Sequence, residues 1–287
     1  MRIFFMELKK LTVGMVTYDD FDGVYFTIQA MRLYHPEVID KIEFIVIDNN
    51  PDGEHAKAIN SLVSWNRNTI RYVPFSEYKS TSIRSKIFEL ANTEYVLCID
   101  CHVLLVPGAL AKLIDFFEAK KDNGNLLQGP MLYDDLKGFA THFDLVWRAQ
   151  MWGIWAQDER GNNINGEPFP IPAQGLGAFA CRKDSWLGFN PRFRGFGGEE
   201  GYIHEKYRQA GKQAMCLPFF RWVHRFGRPN GIKYPLTLEH KLRNYFIGFL
   251  ELGKDITPIY EHFKEFVPVE KIDSILETAK TTPQTTH

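Results

Sequence analysis

Long apolar runs are missing from this chain of 287 residues. No window approaches the roughly 18 uncharged apolar residues of a membrane helix, so no membrane span is expected. The opening MRIFFMELKK has only a short apolar stretch broken by charge, unlike an export signal. An excess of either charge is also missing. Lys and Arg number 34 against 35 Asp and Glu, which gives no global pull toward nucleic acid or an anionic membrane. Cysteine is scarce: Cys98, Cys101, Cys181 and Cys216 all sit in apolar stretches, which suits buried thiols in a reducing compartment better than disulfides. There is no internal repeat, long linker or low-complexity segment. What remains is 45% hydrophobic and 24% charged, an ordinary composition for one large or two modest domains. A cytoplasmic location is expected.

The stretch VLCIDCHVLLVPG, residues 96–108, holds two incompatible motifs. Cys98, Cys101 and His102 spell C-x-x-C-H, the attachment signature of a c-type haem. Asp100 and His102 spell D-x-H, two hard-metal ligands two residues apart. The β-branched and apolar content, with Pro107-Gly108 behind it, predicts a buried strand. On a strand, residues i and i+3 point to opposite faces, so the two thiols diverge and neither haem nor a redox pair is expected. Residues i and i+2 share a face, which favours Asp100 with His102.

Around this strand the first half alternates. KLTVGMVTY, IEFIVIDNN, TIRYVPF and EYVLCID read as strands, and NLLQGPML as a fifth. Helical patterns follow the first four: FDGVYFTIQAMRLYH, residues 54–65, TSIRSKIFELA with Ser80 or Thr81 as N-cap, and GALAKLIDFFEAKK. Strand–helix alternation predicts a mainly parallel sheet flanked by helices. Ligands of such sheets bind beyond the carboxyl ends of the strands, where Thr17, Asp48 and Asp100-His102 fall. From about Leu236 the pattern turns helical again. The expected division is residues 1–232 as the α/β domain, 233–280 as a helical extension packed on it, and 281–287 as a disordered tail.

A strand-end D-x-H needs a third ligand, and manganese accepts imidazole as well as oxygen. His224 is the best placed, flanked by Arg221, Arg225 and Arg228; guanidinium groups beside a metal are what a diphosphate needs. The bland alternative for His224 is a satisfied core or surface histidine. In GFGGEEGYIHEKYRQAG, Glu199 and Glu200 fall at a helix start, where carboxylates favour the dipole. Either they simply cap the helix, or they face a polyhydroxyl ligand, one holding sugar hydroxyls and the other acting as a base. Trp147, Trp152 and Trp155 could stack a sugar or an acceptor; placed on a helix, 152 and 155 share a face and 147 lies well away, so at least one belongs to the core.

Taken in order, these segments resemble the GT-A glycosyltransferases of family 2, closest to the polypeptide N-acetylgalactosaminyltransferase and β-1,4-galactosyltransferase branch. The resemblance covers roughly residues 11–230. VGMVTYDD, with Thr17, resembles the strand that meets the nucleotide. FIVIDNNPDG carries Asp48, which the resemblance places at uracil, and STSIRSKIFELA carries Arg84, placed near the nucleotide. YVLCIDCHVLLVPGAL resembles the metal-holding D-x-D or D-S-H strand. EPFPIPAQGLGAFACRKDSW, with Gly177, resembles the run before the donor-sugar pocket. GFGGEEGYIHEKYRQAG resembles the W-G-G-E-N or W-G-G-E-D segment, and WVHRFGRP the loop that supplies a last metal-binding His and a phosphate-contacting Arg, here Arg225 or Arg228. The resemblance implies a UDP-sugar donor and Mn²⁺ or Mg²⁺ on Asp100, His102 and His224.

Two departures bear on mechanism. Phe196 stands where the relatives have Trp, and Glu200 where they have Asn or Asp. That second acid is the base in inverting relatives and is not required in retaining ones. The membrane anchor and C-terminal lectin domain of the animal enzymes are not in this sequence, so beside that branch a cytosolic enzyme of a bacterial or phage-infected cell is expected rather than a Golgi one. The acceptor is open among a protein Ser/Thr hydroxyl, a glycan, and a hydroxymethylated pyrimidine in phage DNA. The last would flip a base onto an exposed Trp, although near-neutral charge speaks against duplex binding. Outside transferases, the alternatives are a non-catalytic sugar-nucleotide-binding protein and a nucleotidyltransferase; VTYDDFDG is a poor Gly-rich loop for the latter.

Overall fold

β-branched and aliphatic runs alternating with amphipathic stretches fold as the pattern predicts in the first half. The computed structural model describes residues 8–66, 69–228 and 231–281. Strands β1 (Leu11–Thr17), β2 (Ile42–Asp48), β3 (Ile70–Pro74) and β4 (Tyr95–Asp100) are joined through helices α1 (Phe21–Tyr34), α2 (Ala56–Ser64) and α3 (Ser85–Leu90). All four lie parallel, in the order β4-β1-β2-β3. Short β5 (Val103–Leu105) leads into α4 (Ala109–Glu118). Ser80 caps the turn before α3, its hydroxyl accepting from the Ser82 N–H, as its residue type predicts.

The second half completes the sheet irregularly. Strands β6 (Leu126–Gln128), β7 (Met131–Leu132), β8 (Phe139–Ala140), β9 (His142–Arg148), β10 (Met151–Ala156), β11 (Phe169–Ile171) and β12 (Ala178–Arg182) precede α5 (Glu199–Gln209). Strands β13 (Ala214–Cys216) and β14 (Trp222–His224) and helices α6 (Leu238–Glu251), α7 (Thr257–Phe263) and α8 (Val269–Thr281) follow. The eight-stranded sheet runs β11-β13-β6-β12-β4-β1-β2-β3, with β12 and β11 reversed. A smaller sheet has the order β5-β14-β7-β8.

Two expectations are corrected. NLLQGPML is two strands in two sheets, broken at Gly129-Pro130. Gly129 backs onto the Phe220 carbonyl so closely that a Cβ there would collide with it, and Pro130 has no N–H for a ladder. The tryptophan segment is a hairpin of β9 and β10 rather than a helix, with Trp152 opposite Trp147 and a register shift between Trp152 and Ile154. Period-two aromatic and β-branched residues favour strands, and Gly153, at φ 125°, supplies the irregularity.

Alternation within β4 settles the cysteines. Leu97 and Ile99 join the core under α1 and α4, whereas Val96 and Cys98 join the core under α3, α5 and α6. Cys98 and Cys101 thus lie in different cores. All four cysteines are free and buried. Helices α6 to α8 contribute Leu242, Phe246, Ile259 and Ile272 to the second of these cores. The disordered-tail expectation falls, beyond Thr281, outside the described residues. Among the described residues no helix is long and apolar enough to cross a membrane.

Candidate functional site

Register brings the strand ends level. Thr17 pairs with Asp48 across β1–β2, and Val16 with Asp100 across β1–β4. His102 lies two residues past Asp100, in the turn before β5. β14 then pairs antiparallel with β5, setting His224 against Val103, and the Arg225 N–H donates to the His102 carbonyl at 3.2 Å. A three-residue ladder therefore carries His224 to the D-x-H. One ligand atom from each of Asp100, His102 and His224 lies within 4.8 Å of the others, and His224 Nε2 is 3.3 Å from Asp100 Oδ2. Ligands at about 2.1 Å from a common octahedral ion stand roughly 3 Å apart.

The charges suit that role. Burial raises the Asp100 carboxyl, but Arg84, whose Nη2 donates to Oδ1 at 2.5 Å, and then the two histidines outweigh it and hold it well below the usual range. Burial also lowers His102, against the pull of Asp20 and Asp100, which keeps the imidazole neutral and able to ligate. Arg228 Nη2 lies 2.6 Å from His102 Nε2. A guanidinium has no acceptor, so this nitrogen carries the lone pair and already faces a cation. Among the described residues, the buried Nδ1 of His224 has no hydrogen-bond partner. One carboxylate and two imidazoles form a donor set that fits Mn²⁺.

The glutamates divide. Glu199 is 1% exposed. Its Oε2 accepts from the Gly197 N–H at 2.8 Å, and its Oε1 takes the Thr81 hydroxyl and lies 3.7 Å from Arg84 Nη1. Glu200 instead lines a cavity of about 350 Å³ beside the metal-type cluster. Burial first, and then Glu199, push its carboxyl well above the usual range, with Arg84 and Lys241 pulling it only partly back. Gly197 and Gly198, at φ 103° and 93°, allow the turn that separates the two roles.

Of the expected site residues, Thr17, Arg84, Asp100, His102, Trp155, Gly177, Glu200, His224 and Arg228 line this cavity. Gly177 accepts from the Asp100 N–H at 2.9 Å, and a Cβ on it would press on the Trp222 ring. Asp48 does not line the cavity; it is fully buried and accepts from the Asn50 N–H and the Tyr72 hydroxyl. Glu199 lies behind the wall, and Arg225 turns to Asp20. Trp147 packs on Trp152, Tyr245 and His262, away from the cavity.

Sequence reasoning missed Asp20, Phe143, Met151 and Tyr234. The first lies in TYDDFDG, where three acids after a strand signal only a helix cap. The others carry no local motif.

Residues 12–174 match the family described as Glycosyl transferase family 2. No curated protein sequence matches the chain. Among solved structures, that titled GalNAc-T7 with UDP, GalNAc and Mn²⁺ is similar at 17% identity and a TM-score of 0.69, over 95% of this chain and 55% of that one. The chain thus spans about half the length of that structure. S. aureus TarS 1-349 is similar at 13% identity and a TM-score of 0.53, over 93% of this chain and 69% of that one. The mannosyltransferase PcManGT from Pyrobaculum calidifontis, with GDP-Man and Mn²⁺, is similar at 13% identity and a TM-score of 0.55, over 96% and 76%. At these identities the structural likeness speaks for the fold, and the family match covers more than half of the chain: it has the GT-A fold and belongs to glycosyl transferase family 2.

Proposed function

We propose that this glycosyltransferase moves a hexose from a UDP-sugar to an acceptor hydroxyl, using Mn²⁺ or Mg²⁺ held by Asp100, His102 and His224. The observation that carries the reading is the convergence of these three ligands at the edge of the cavity that Glu200 and Arg228 also line. The ion, when bound, supplies Lewis-acid neutralisation of the diphosphate. Arg84 keeps Asp100 ionised and aimed. Arg228, released from His102, and Arg225 add positive charge for the departing phosphate. Glu200 is placed to take the acceptor's proton, and its raised carboxyl suits a base working near neutral pH. Glu199 holds the Gly197 turn and Arg84, and so aims Glu200. Trp155 with Phe143, whose rings are 4.4 Å apart edge to face, form the apolar wall for the sugar. Residues 1–232 supply the donor side in this reading, and the helices of 233–280 back the wall. Free thiols at all four cysteines agree with a cytoplasmic location.

The test is a donor screen by calorimetry and mass spectrometry. It offers UDP-glucose, UDP-galactose and their N-acetyl forms, and GDP-mannose as a contrast, with Mn²⁺ and then with chelator. Metal-dependent binding or slow hydrolysis of one UDP-sugar, lost in His224→Ala, is the expected result. Binding of GDP-mannose alone overturns the donor, and binding indifferent to chelator overturns the metal.

A further inference from the structure

Asp20 ends the VGMVTYDD stretch with no role expected for it, yet it touches both halves of the donor site. Its Oδ2 is 3.0 Å from His102 Nδ1. Its two oxygens are 2.9 and 3.2 Å from Arg225 Nη2. Its Oδ1 also accepts from the Gly23 N–H at 3.0 Å, capping α1. We propose that Asp20 is a positioning residue for the metal: it accepts the Nδ1–H of His102, fixes the tautomer, and leaves Nε2 as the ligand atom.

Two independent features support this. Arg228 donates to His102 Nε2, so in the neutral ring the proton sits on Nδ1, the nitrogen that faces Asp20. The carboxylate is also held at a fixed height by backbone packing. The Thr27 hydroxyl donates to the carbonyls of Cys101 and Val103, each at 3.1 Å. A Cβ on Gly23 would stand 2.6 Å from the Cys101 carbonyl. Helix α1 is therefore pressed against the turn that bears His102, and only glycine permits the approach. Metal-bound histidines ordinarily give their other N–H to a carboxylate, which orients the ring and strengthens it as a donor. By holding Arg225 as well, Asp20 ties the metal side of the diphosphate to its arginine side.

The proposal rests on the metal assignment of His102, and its test separates the two. Asp20→Ser keeps a helix cap but is too short to reach His102; Asp20→Asn keeps cap and size without the charge. Mn²⁺ affinity of the full chain is measured from the EPR signal of free Mn²⁺, with thermal unfolding of the metal-free proteins as the folding control. Asp20→Ser is expected to bind Mn²⁺ about 10- to 100-fold more weakly at an unchanged unfolding midpoint, and Asp20→Asn to fall between it and wild type. In ¹⁵N NMR of metal-free Arg228→Met, which takes the guanidinium off Nε2, the Nδ1–H tautomer of His102 is expected to persist, and mixed tautomers are expected when Asp20→Ser is added to it. Wild-type-like Mn²⁺ affinity in Asp20→Ser, or an unchanged tautomer in the double variant, overturns the role of Asp20 and leaves the metal assignment standing. No Mn²⁺ binding by wild type overturns the metal assignment, and the role of Asp20 falls with it.

Discussion

The strand-end rim of the sheet and the wall across the cavity from it are built by different means. On the rim, Asp100 is placed by the β1–β4 register, His102 by the next turn, and His224 by the β14–β5 ladder. Backbone hydrogen bonds do most of this work, and the side chains follow from position along the strand. On the wall, Glu200 stands at the start of α5, and Phe143, Met151 and Trp155 come from the hairpin. There the positions depend on side chains from far along the sequence. Asn244 of α6 holds the carbonyls of Arg194 and Gly197, and the Tyr245 hydroxyl accepts from the Trp152 N–H. The rim is held by backbone ladders and the wall by side chains of the C-terminal helices, so substitutions in α6 and α7 should disturb the wall while sparing the rim.

The strongest test of that contrast is Asp100→Asn. It removes a proposed metal ligand and leaves the buried Arg84, 8% exposed, with the more distant Glu199, at 3.7 Å, as its carboxylate partner. Expected are a loss of about 10³-fold or more in kcat/KM, which is roughly 4 kcal/mol of transition-state stabilisation, and loss of Mn²⁺ dependence. The stability cost is about 2 kcal/mol, from a buried charge that loses the nearer of its two carboxylates. Steady-state kinetics against Mn²⁺ concentration checks it; a variant that keeps its metal dependence moves the metal elsewhere.

Glu200→Gln comes next, on the wall, with about a 10²-fold loss in kcat and little change in Mn²⁺ affinity. It also carries a pH signature. The Glu200 carboxyl titrates above its unfolded value because of burial and Glu199. The native state thus binds the proton more tightly, and wild type loses stability as pH rises from the unfolded value through the folded one. Gln does not titrate, so the variant gains on wild type from about pH 5 toward about pH 9 in thermal unfolding. If Glu200 is the base, the wild-type rate rises over the same interval. Lys241→Met, by removing a cation that favours the ionised form, moves that rise to higher pH. A flat profile in both proteins removes Glu200 from proton transfer.

The same contrast explains what could be read in advance. The parallel half of the sheet, the D-x-H and the splitting of the two cysteines all follow from strand period. His224 was readable because its loop is basic. The hairpin was not, since Trp152 and Trp155 fit one helical face until Gly153 and the Trp147–Trp152 pairing are known. Nor was the division between Glu199 and Glu200, which depends on Thr81 and Arg84 reaching across from another segment. Asp48 shows the limit of a position carried over from a resemblance. It sits at the expected strand end, but Tyr72 on the neighbouring strand takes one of its oxygens.

Trp147 and Trp155 offer the finest division, one on each side of the hairpin. Trp147 packs among Trp152, Tyr245, His262 and Phe263. Truncating it to Ala should cost about 3 kcal/mol of stability and leave donor KM unchanged at temperatures where the variant is folded. Trp155 faces the cavity, braced by Phe143 and by the absence of a Cβ on Gly175, which would come within 2.9 Å of its ring. Trp155→Ala should raise the KM of sugar donor or acceptor about tenfold, near 1.4 kcal/mol, with a smaller effect on kcat, because a stacking face binds ground state and transition state alike. Trp155→Phe should recover most of it. Should kcat fall instead and KM hold, the ring acts by keeping Glu200 in place, and the wall is then one mechanical unit in which the hairpin aims the base.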